Sequence, residues 1–197
     1  MSTIDQEKLM VKVRNWLAWD KIWLLCLQNE KTANDIRELA EASNFKELAA
    51  RMNGQLLFGT AGIRARMDAG FARLNDLTII QITHGFAKHM KNFYGSKKSN
   101  GVAIGFDGRH NSRRCALYSD INSTRMSSPF RFAQLAANVF IRNNIPVYLF
   151  SEVCPTPVVS WATVKLKCDA GLIITASHNP KEDNGYKAYW SNGAQVK

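Results

Sequence analysis

The chain has 197 residues, of which 46% are hydrophobic and 10% aromatic, a composition that excludes a disordered protein and allows one sizeable domain with its own core. Its 26 Lys and Arg residues outnumber its 16 Asp and Glu residues, so the net charge is +10. Such a charge suits nucleic-acid binding, the attraction of small anionic ligands, or only a solvated surface. No nucleic-acid motif is present and no basic run exceeds two residues, so we expect no nucleic-acid partner.

The cysteines and the N-terminus indicate a reducing compartment. None of the cysteines has the spacing of a zinc site, and we predict free thiols at all four positions: Cys26, Cys115, Cys154 and Cys168. The first residues do not read as a signal peptide, because Asp5 and Glu7 interrupt them. The apolar run 22–27 is too short to cross a bilayer. We therefore predict a cytoplasmic protein with no membrane partner.

Helical periodicity dominates the first quarter of the chain. Thr3 and Gln6 form a candidate capping box, and apolar residues then recur at helical spacing as far as Leu17. Further helices are predicted over 34–42 and 45–52, before Gly54 breaks the pattern. We interpret 1–53 as a helical N-terminal extension and 54–197 as an α/β domain.

Strands and helices alternate after a loop-rich stretch at 58–70. The predicted elements are a helix capped by Asn75 or Asp76, a strand over 102–106, a helix from 132, a strand over 145–150, a helix capped by Thr156 with Pro157 at its first position, and a strand over 171–175. This order predicts a mixed, mostly parallel sheet covered by helices. A last strand near 185–190 follows a short turn, so we expect it to run antiparallel. The loops at Asp107, 151–155 and Ser177 should converge at one edge of the sheet.

The segment after the strand at 171–175 carries the chemistry. Residues 175–180 read Thr-Ala-Ser-His-Asn-Pro, and residues 184–187 read Asn-Gly-Tyr-Lys. A hydroxyl, an imidazole and an ammonium at a strand end suit covalent phosphoryl transfer, with the serine as carrier and the cations holding phosphate oxygens.

These motifs resemble the active-serine loop of the α-D-phosphohexomutases, the phosphoglucomutase/phosphomannomutase superfamily. The segment Phe-Gly-Thr-Ala-Gly-Ile-Arg-Ala at 58–65 is similar to the N-terminal arginine motif of that family, and Gly-Phe-Asp-Gly-Arg at 105–109 is similar to its Asp-x-Arg loop. The amino-acid sequences of the segments 58–65, 75–81 and 190–195 are most similar to those of the phosphopentomutase-type branch. The expected fold is the first domain of this family.

The resemblance implies an intramolecular phosphotransferase. Ser177 would be phosphorylated and would exchange its phosphoryl group with a sugar 1-phosphate or a sugar 5- or 6-phosphate, through a bisphosphate intermediate. Sugar phosphates are then the expected partners, and sugar 1,6-bisphosphate the activator. His178 would contact substrate or phosphate oxygens or orient the loop. Arg64 and Lys187 would contact phosphate, the arginine electrostatically and the lysine also in proton transfer.

Supporting roles are expected for four neighbours. Asn179 and Asn184 would pin the loop through bonds from their side chains to the backbone, and Asp107 with Arg109 would form an ion pair beside it.

The four residues with proposed catalytic roles also have ordinary structural interpretations. Ser177 could only cap a turn, His178 could be an ordinary loop residue, and Arg64 or Lys187 could be surface charges.

The resemblance also implies Mg²⁺, bound by Ser177 through its phosphate. The carboxylate ligands would come from the Asp-Gly-Asp-x-Asp-Arg motif of the family, which this sequence lacks; Glu182 and Asp183 do not replace it. We therefore expect the chain alone to be inactive. The alternative is a non-catalytic fragment that binds phosphosugars or mediates an interaction. The choice between pentose and hexose and the oligomeric state stay open.

Two segments interrupt the resemblance, 22–28 and 115–131. We hypothesise that both are insertions from variant splicing or gene prediction, with ordinary loop variation as the alternative. The second segment has no clean periodicity, and we expect it to form a loop that bulges from the domain.

Overall fold

Five strands form one mixed sheet in the order β1-β5-β4-β2-β3 in a computed structural model of the chain. The structure describes residues 2–27, 30–60, 62–95, 97–109 and 129–196, with side chains described for these except at 20–27, 30 and 129–130. The helices are α1 Thr3–Leu27, α2 Glu30–Glu41, α3 Phe45–Met52, α4 Asp76–Tyr94, α5 Pro129–Arg142 and α6 Thr156–Lys165. The strands are β1 Ile63–Arg66, β2 Val102–Phe106, β3 Val147–Leu149, β4 Ala170–Ile174 and β5 Asp183–Trp190.

The strands β2, β3 and β4 are parallel, as predicted, and β5 runs antiparallel. β2 pairs in parallel with both β3 and β4, whereas β5 pairs antiparallel with β4 and with β1. Every residue of β2 and β4 is buried, because helices cover both faces of the sheet. The mixed, mostly parallel fold expected from the sequence is therefore confirmed.

The loop-rich stretch predicted at 58–70 contains a strand that the sequence analysis missed. β1 has only four residues, two of them arginines, and it lies at an edge of the sheet. Its register places Arg64 opposite Gly185. So short and charged a segment has no apolar alternation of its own, and its pairing with β5 makes it a strand.

The main core lies between the sheet and the pair α4 and α5. Ile79, Met90 and Phe140 pack there against Ile104 and Leu172. On the opposite sheet face, α6 closes a smaller cluster of Cys154, Val159, Ile173 and Tyr189. The layers are helix, sheet and helix, and the loops at the carboxyl ends of β2 and β4 are left open at one edge.

The N-terminal helices share a core with the α/β part. Leu9, Trp16, Ile36 and Leu48 pack against Ala69 and Leu77, which lie beyond the predicted boundary at residue 53. The Arg51 guanidinium also donates to Asp68 at 2.6 Å. The extension is thus packed onto the α/β part through a common apolar cluster.

Two predicted helix starts were wrong by one residue. Ser2, not Thr3, caps α1: the Asp5 amide donates to the Ser2 hydroxyl at 3.2 Å, and the Asp5 carboxylate accepts from the Ser2 amide at 3.3 Å. Pro155, not Thr156, is the cap of α6, because the amide of Val158 closes the first turn on the Pro155 carbonyl at 3.0 Å. Asn75 caps α4 in a capping box with Thr78.

The two candidate insertions lie partly outside the described residues. Residues 22–27 continue α1, and 110–128 are not described. Residues 129–131 were expected in a loop but form the first turn of α5, a position that suits proline, and the Arg131 guanidinium donates to Asp76 at 2.6 Å.

Cys154 and Cys168 are buried free thiols, and burial raises the pKa of both; the side chains of Cys26 and Cys115 lie outside the described set. No helix in the described ranges is long and apolar enough to cross a membrane.

Candidate active site

The predicted site lies at the carboxyl edge of the parallel strands. Asp107 directly follows β2, and the loop 175–182 joins β4 to β5. These segments border an open cavity of about 400 Å³ lined by Asp107, Gly108, Arg109, Ser177, Asn179 and Lys181. The predicted convergence of Asp107 with Ser177 is present. The loop 151–155 contacts the end of β2, where the Cys154 amide donates to the Phe106 carbonyl, but it does not line the cavity.

Ser177 has a backbone conformation that is unusual for serine. Its φ is +55°, in the left-handed region, and its side chain is exposed. The Ser177 amide donates to the hydroxyl of Thr175 at 3.0 Å, and that hydroxyl donates to Asp107. The end of β4 and the end of β2 thus hold the serine backbone jointly.

Two cations converge on the Ser177 hydroxyl. The Lys187 ammonium donates to Ser177 Oγ at 2.7 Å, and a terminal nitrogen of Arg64 approaches the same oxygen at 3.4 Å. The other terminal nitrogen of Arg64 donates to the Asn179 side chain at 2.8 Å. A serine oxygen between two cations is placed to carry a negatively charged group.

Lys187 is 7% exposed, and this burial changes its acidity. Burial, and then the charge of Arg64, lower the pKa of the Lys187 ammonium below its ordinary value of 10.5, while Asp107 acts in the opposite direction. A lysine with a lowered pKa exchanges a proton with a neighbouring hydroxyl more readily than an exposed lysine does.

Two glycines permit the close approach of the strands that carry these cations. Gly62 has a φ of +83°, and a Cβ there would lie 2.6 Å from the Tyr186 carbonyl oxygen and 2.9 Å from Lys187 Cγ. A Cβ at Gly185 would lie 2.4 Å from the Thr175 carbonyl oxygen. Without side chains at these positions, β1, β5 and the end of β4 come close enough for Arg64 and Lys187 to reach one oxygen.

Arg109 holds the serine loop by its backbone. Its Nε lies 3.2 Å from Asp107, so the predicted ion pair is present, and its side chain is 11% exposed. Its terminal nitrogens donate to four carbonyl oxygens of the loop region, those of Ser177, Asn179, Pro180 and Asp183. The sequence motif indicated the ion pair but not this set of backbone contacts, which depends on how the loop turns.

The two predicted loop asparagines behave differently. The Asn179 amide donates to the Asp183 carboxylate at 3.0 Å and accepts from Arg64, so it ties the loop to other side chains. Asn184 is fully buried, and it bonds to the Gly185 amide and the Met67 sulfur. The Asn184 side chain makes the predicted kind of bond, to a backbone amide, but this bond lies within β5 and not in the serine loop; the Asn179 side chain bonds to side chains and not to the backbone.

The structure places His178 outside the cavity and Lys181 at it. His178 is exposed and does not line the cavity, whereas Lys181, to which the sequence analysis gave no role, does. Lys181 follows Pro180 within the serine loop, so its position in the motif was the available signal.

The described residues do not fit an Mg²⁺ site. The atoms that face Ser177 Oγ are cationic nitrogens, and Asp107 already accepts from Arg109 and Thr175. Within the described part of the chain, no three His, Cys, Asp or Glu side chains group so that they could hold a metal ion.

Comparison with known proteins identifies the family to which this chain belongs. The family model of the phosphoglucomutase/phosphomannomutase α/β/α domain I matches residues 55–118 and 124–197, leaving out five residues of the segment 115–131. The chain therefore belongs to the phosphoglucomutase/phosphomannomutase family.

Particular relatives refine this assignment. The chain is 45% identical to mouse phosphopentomutase over 193 residues, covering 98% of this chain and 27% of that protein. It is 42% identical to human glucose 1,6-bisphosphate synthase over 189 residues, covering 96% and 28% of the two chains. Its fold matches the crystal structure of a candidate phosphomannomutase from Thermus thermophilus with a TM-score of 0.56 and 25% identity, over 73% of this chain and 27% of that one. The chain thus spans little more than a quarter of the length of these relatives.

Proposed function

We propose that this chain carries the phosphoserine half of an intramolecular phosphotransferase that interconverts sugar 1-phosphates with sugar 5- or 6-phosphates. The supporting observation is the contact of 2.7 Å between Ser177 Oγ and the buried Lys187 ammonium, with Arg64 on the same oxygen. The named activities of the mouse and human relatives support a phosphosugar as the ligand.

The proposed reaction moves one phosphoryl group and one proton in each direction. Phosphorylated Ser177 gives its phosphoryl group to a sugar hydroxyl: the Oγ–P bond breaks and a bond from phosphorus to the sugar oxygen forms. The sugar hydroxyl gives its proton to solvent water in the open cavity, and Ser177 Oγ accepts one from the Lys187 ammonium. In the return step, the neutral Lys187 amine takes the proton of Ser177 as its oxygen attacks the other phosphate of the bisphosphate. The bond between that phosphorus and the sugar oxygen breaks, and the sugar oxygen takes a proton from solvent water.

Arg64 has an electrostatic role in this scheme. Its guanidinium stays protonated, so it stabilises the charge of the phosphoryl oxygens and transfers no proton. Its second bond, to Asn179, fixes the guanidinium plane relative to the serine loop. Lys187 and Arg64 therefore divide the work into proton transfer and charge stabilisation.

A chimeric enzyme provides the direct test. Residues 1–197 replace the matching part of mouse phosphopentomutase, and phosphopentomutase activity is measured with sugar bisphosphate and Mg²⁺ present. We expect Ser177→Ala to lower kcat by at least about 10³-fold, because the carrier oxygen is lost. The matched control, Ser191→Ala in the exposed turn after β5, should retain activity. Equal activity of the two serine variants would refute the proposal.

The chain by itself is expected to show only background mutase activity. Lys187 and Arg64 provide a proton and positive charge at Ser177, but the family resemblance implies that the negative charge of the phosphoryl oxygens needs further stabilisation. A coupled assay on purified 1–197, primed with sugar bisphosphate and Mg²⁺, tests this, and sustained turnover would contradict it.

A second function follows from the same geometry. Two cations beside an open cavity of about 400 Å³ suit the binding of a phosphosugar without turnover. Such binding would raise the melting temperature of the chain in a titration with sugar phosphates, whereas the parent sugars would leave it unchanged.

A further inference from the structure

We propose that Asn53 is a site of spontaneous covalent modification, at which the side-chain amide leaves as ammonia and the residue becomes aspartate or isoaspartate. The reaction needs water and no enzyme. It takes place where α3 joins the α/β part, so this inference is independent of the phosphoryl transfer proposed for Ser177.

The chain contains four Asn-Gly pairs, which begin at Asn53, Asn100, Asn184 and Asn192. A glycine after asparagine favours the reaction, because no Cβ hinders the approach of the glycine nitrogen to the asparagine side chain. The amino-acid sequence does not distinguish the four pairs. Their surroundings in the folded chain do, because the reaction needs water and a backbone amide that can move.

The reaction begins at the backbone nitrogen of the glycine. This nitrogen attacks Cγ of the asparagine, the bond from Cγ to the side-chain nitrogen breaks, and ammonia leaves with the proton of the backbone amide. Water then adds to one carbonyl of the cyclic imide and opens the ring. Opening on one side gives aspartate, and opening on the other side gives isoaspartate, in which the main chain is one carbon atom longer.

The attacking group is available at the first pair. Gly54 is exposed, and its backbone amide has no hydrogen-bond acceptor among the described residues. Asn53, the C-cap of α3, is exposed as well. Both reacting groups of this pair are therefore in contact with water, and no hydrogen bond has to break before the nitrogen attacks.

The glycine amides of the other three pairs are already engaged in hydrogen bonds. The three bonds run from Gly101 to Ser99 Oγ at 3.1 Å, from Gly185 to the Asn184 side-chain oxygen at 2.8 Å, and from Gly193 to the Trp190 carbonyl at 2.8 Å. Gly101 and Gly185 are also buried. Each of these amides must open locally before its nitrogen can attack.

The pair at Asn184 is the most restrained of the four. Asn184 is fully buried and lies opposite Ala65 of β1. On the other side of β5, the Thr175 amide donates to the Gly185 carbonyl at 3.0 Å. Strand pairing on both sides prevents the backbone rotation that would carry the Gly185 nitrogen from the side-chain oxygen to Cγ.

Lys12 favours attack at Asn53. Its ammonium donates to Asn53 Oδ1 at 2.8 Å. When the Gly54 nitrogen attacks Cγ, negative charge develops on this oxygen, and a cation beside it stabilises that charge. At Asn192 the corresponding oxygen accepts only from a neutral donor, the Ala194 amide at 2.9 Å.

Isoaspartate at position 53 would disturb a closely packed junction. A Cβ at Gly54 would lie 2.7 Å from Ala72 Cβ, and the Ala72 amide donates to the Arg51 carbonyl at 2.9 Å. An additional main-chain carbon atom before Gly54 has no free space here and must displace this contact. The modification would therefore weaken the packing of the N-terminal helices on the α/β part.

Peptide mass spectrometry of the purified 197-residue chain tests the proposal. The folded chain is incubated at physiological temperature and mildly alkaline pH, and conversion is measured at all four sites. We expect Asn53 to react at least about tenfold faster than Asn100, Asn184 and Asn192, whose glycine amides must first open. In the control, the chain unfolded in urea, the four rates should be similar.

The role of Lys12 has its own matched pair of variants. Lys12→Met should slow the conversion of Asn53 about threefold, a modest effect because the ammonium is exposed to solvent. Lys8→Met removes the same charge from an exposed position one turn earlier in α1 and should leave the rate unchanged.

The packing argument is tested on the product. The isoaspartyl form, separated by chromatography, should unfold at a lower urea concentration than Asn53→Asp, which keeps the normal main chain and can pair with Lys12. Equal midpoints would contradict the predicted disturbance at Ala72.

Three results would count against the inference. Conversion of any other Asn-Gly pair as fast as Asn53 in the folded chain would overturn it, and so would a lack of conversion at Asn53. Equal rates in Lys12→Met and Lys8→Met would refute the assistance assigned to Lys12.

Discussion

Ser177 adopts a left-handed backbone conformation, which costs a residue other than glycine about 1–3 kcal/mol and persists only where neighbours enforce it. Three neighbours do so here: Thr175 accepts from its amide, Arg109 donates to its carbonyl and Lys187 donates to its hydroxyl. The strained backbone therefore belongs to Ser177, the residue whose hydroxyl oxygen the proposed chemistry uses.

Loss of Arg109 should loosen this loop. We expect Arg109→Ala to lower the free energy of unfolding by about 2–3 kcal/mol, because several carbonyl oxygens and Asp107 lose a charged donor. Amides of the loop 176–183 should also exchange hydrogen at least about tenfold faster, since they open locally. Urea unfolding and hydrogen exchange measure the two effects.

The control for Arg109 is Arg66→Ala on β1. Arg66 is 65% exposed and lies 3.9 Å from Asp68, so we expect a change below about 0.5 kcal/mol. Similar effects of the two arginine variants would show that Arg109 does not hold the loop.

Lys187 should give stability a distinctive dependence on pH. Its lowered pKa means that the folded state releases the proton before the unfolded state does. Between the folded pKa and 10.5, the unfolded chain binds more protons, so stability rises with pH in that window. The stability of the wild type relative to Lys187→Met should therefore increase as the pH rises toward 10.5. Parallel stability curves for the two proteins, measured by urea unfolding, would contradict the shifted pKa.

At the scale of elements, caps decide where helices begin. Asn75 accepts from the Thr78 amide at 3.0 Å, and its buried amide nitrogen donates to the carbonyls of Asp68 and Gly70 at 2.8 and 2.9 Å. One side chain thereby starts α4 and closes the turn that follows β1.

Asn75→Ala should consequently cost more than an ordinary cap. We expect a loss of about 2–3 kcal/mol, the cap together with the carbonyls left unpaired in the interior. Asn44→Ala, at the exposed cap of α3, removes only the bond from the Glu47 amide at 3.2 Å and should cost about 0.5–1 kcal/mol. Thermal unfolding of both variants gives the comparison, and equal melting temperatures would argue against the interior role of Asn75.

At the scale of the whole molecule, the N-terminal helices and the sheet domain share an apolar cluster. Trp16 is fully buried and packs edge-on against Phe71, with ring centres 5.1 Å apart. The cluster therefore continues across residue 53, and we expect the helices and the sheet to unfold together.

Trp16→Ala tests this coupling. We expect a loss of about 3–5 kcal/mol, with amides of β2 and β4 affected as well as those of α1. Trp19→Ala, whose ring is 45% exposed, should cost much less. Separate unfolding of the N-terminal helices, seen as unchanged exchange in β2 and β4, would show that the two parts are independent.

Local patterns in the sequence were sufficient for most of the elements. β2, β4 and β5 were predicted near their observed positions because apolar runs bounded by turn residues leave few alternatives, and the antiparallel β5 followed from the short turn before it. The cap at Ser2 was missed because the neighbouring Thr3 is an equally good capping residue, and the cap at Pro155 was missed because it makes no side-chain cap bond, whereas Thr156 beside it is a typical capping residue. β1 was missed because its pairing partner lies more than a hundred residues away in the chain.

The amino-acid sequence was sufficient to predict the family, the mixed sheet and the serine loop, because these depend on short-range motifs and periodicity. The packing of the folded chain set the contacts at Ser177 Oγ: it brought Lys187 and Arg64, both expected near phosphate, to within 2.7 and 3.4 Å of this one oxygen, turned Asn184 toward Met67 and left His178 outside the cavity. It also placed Lys181 in the cavity. These outcomes depend on strand register and on how the backbone turns within the loop, which involve contacts between residues far apart in the chain.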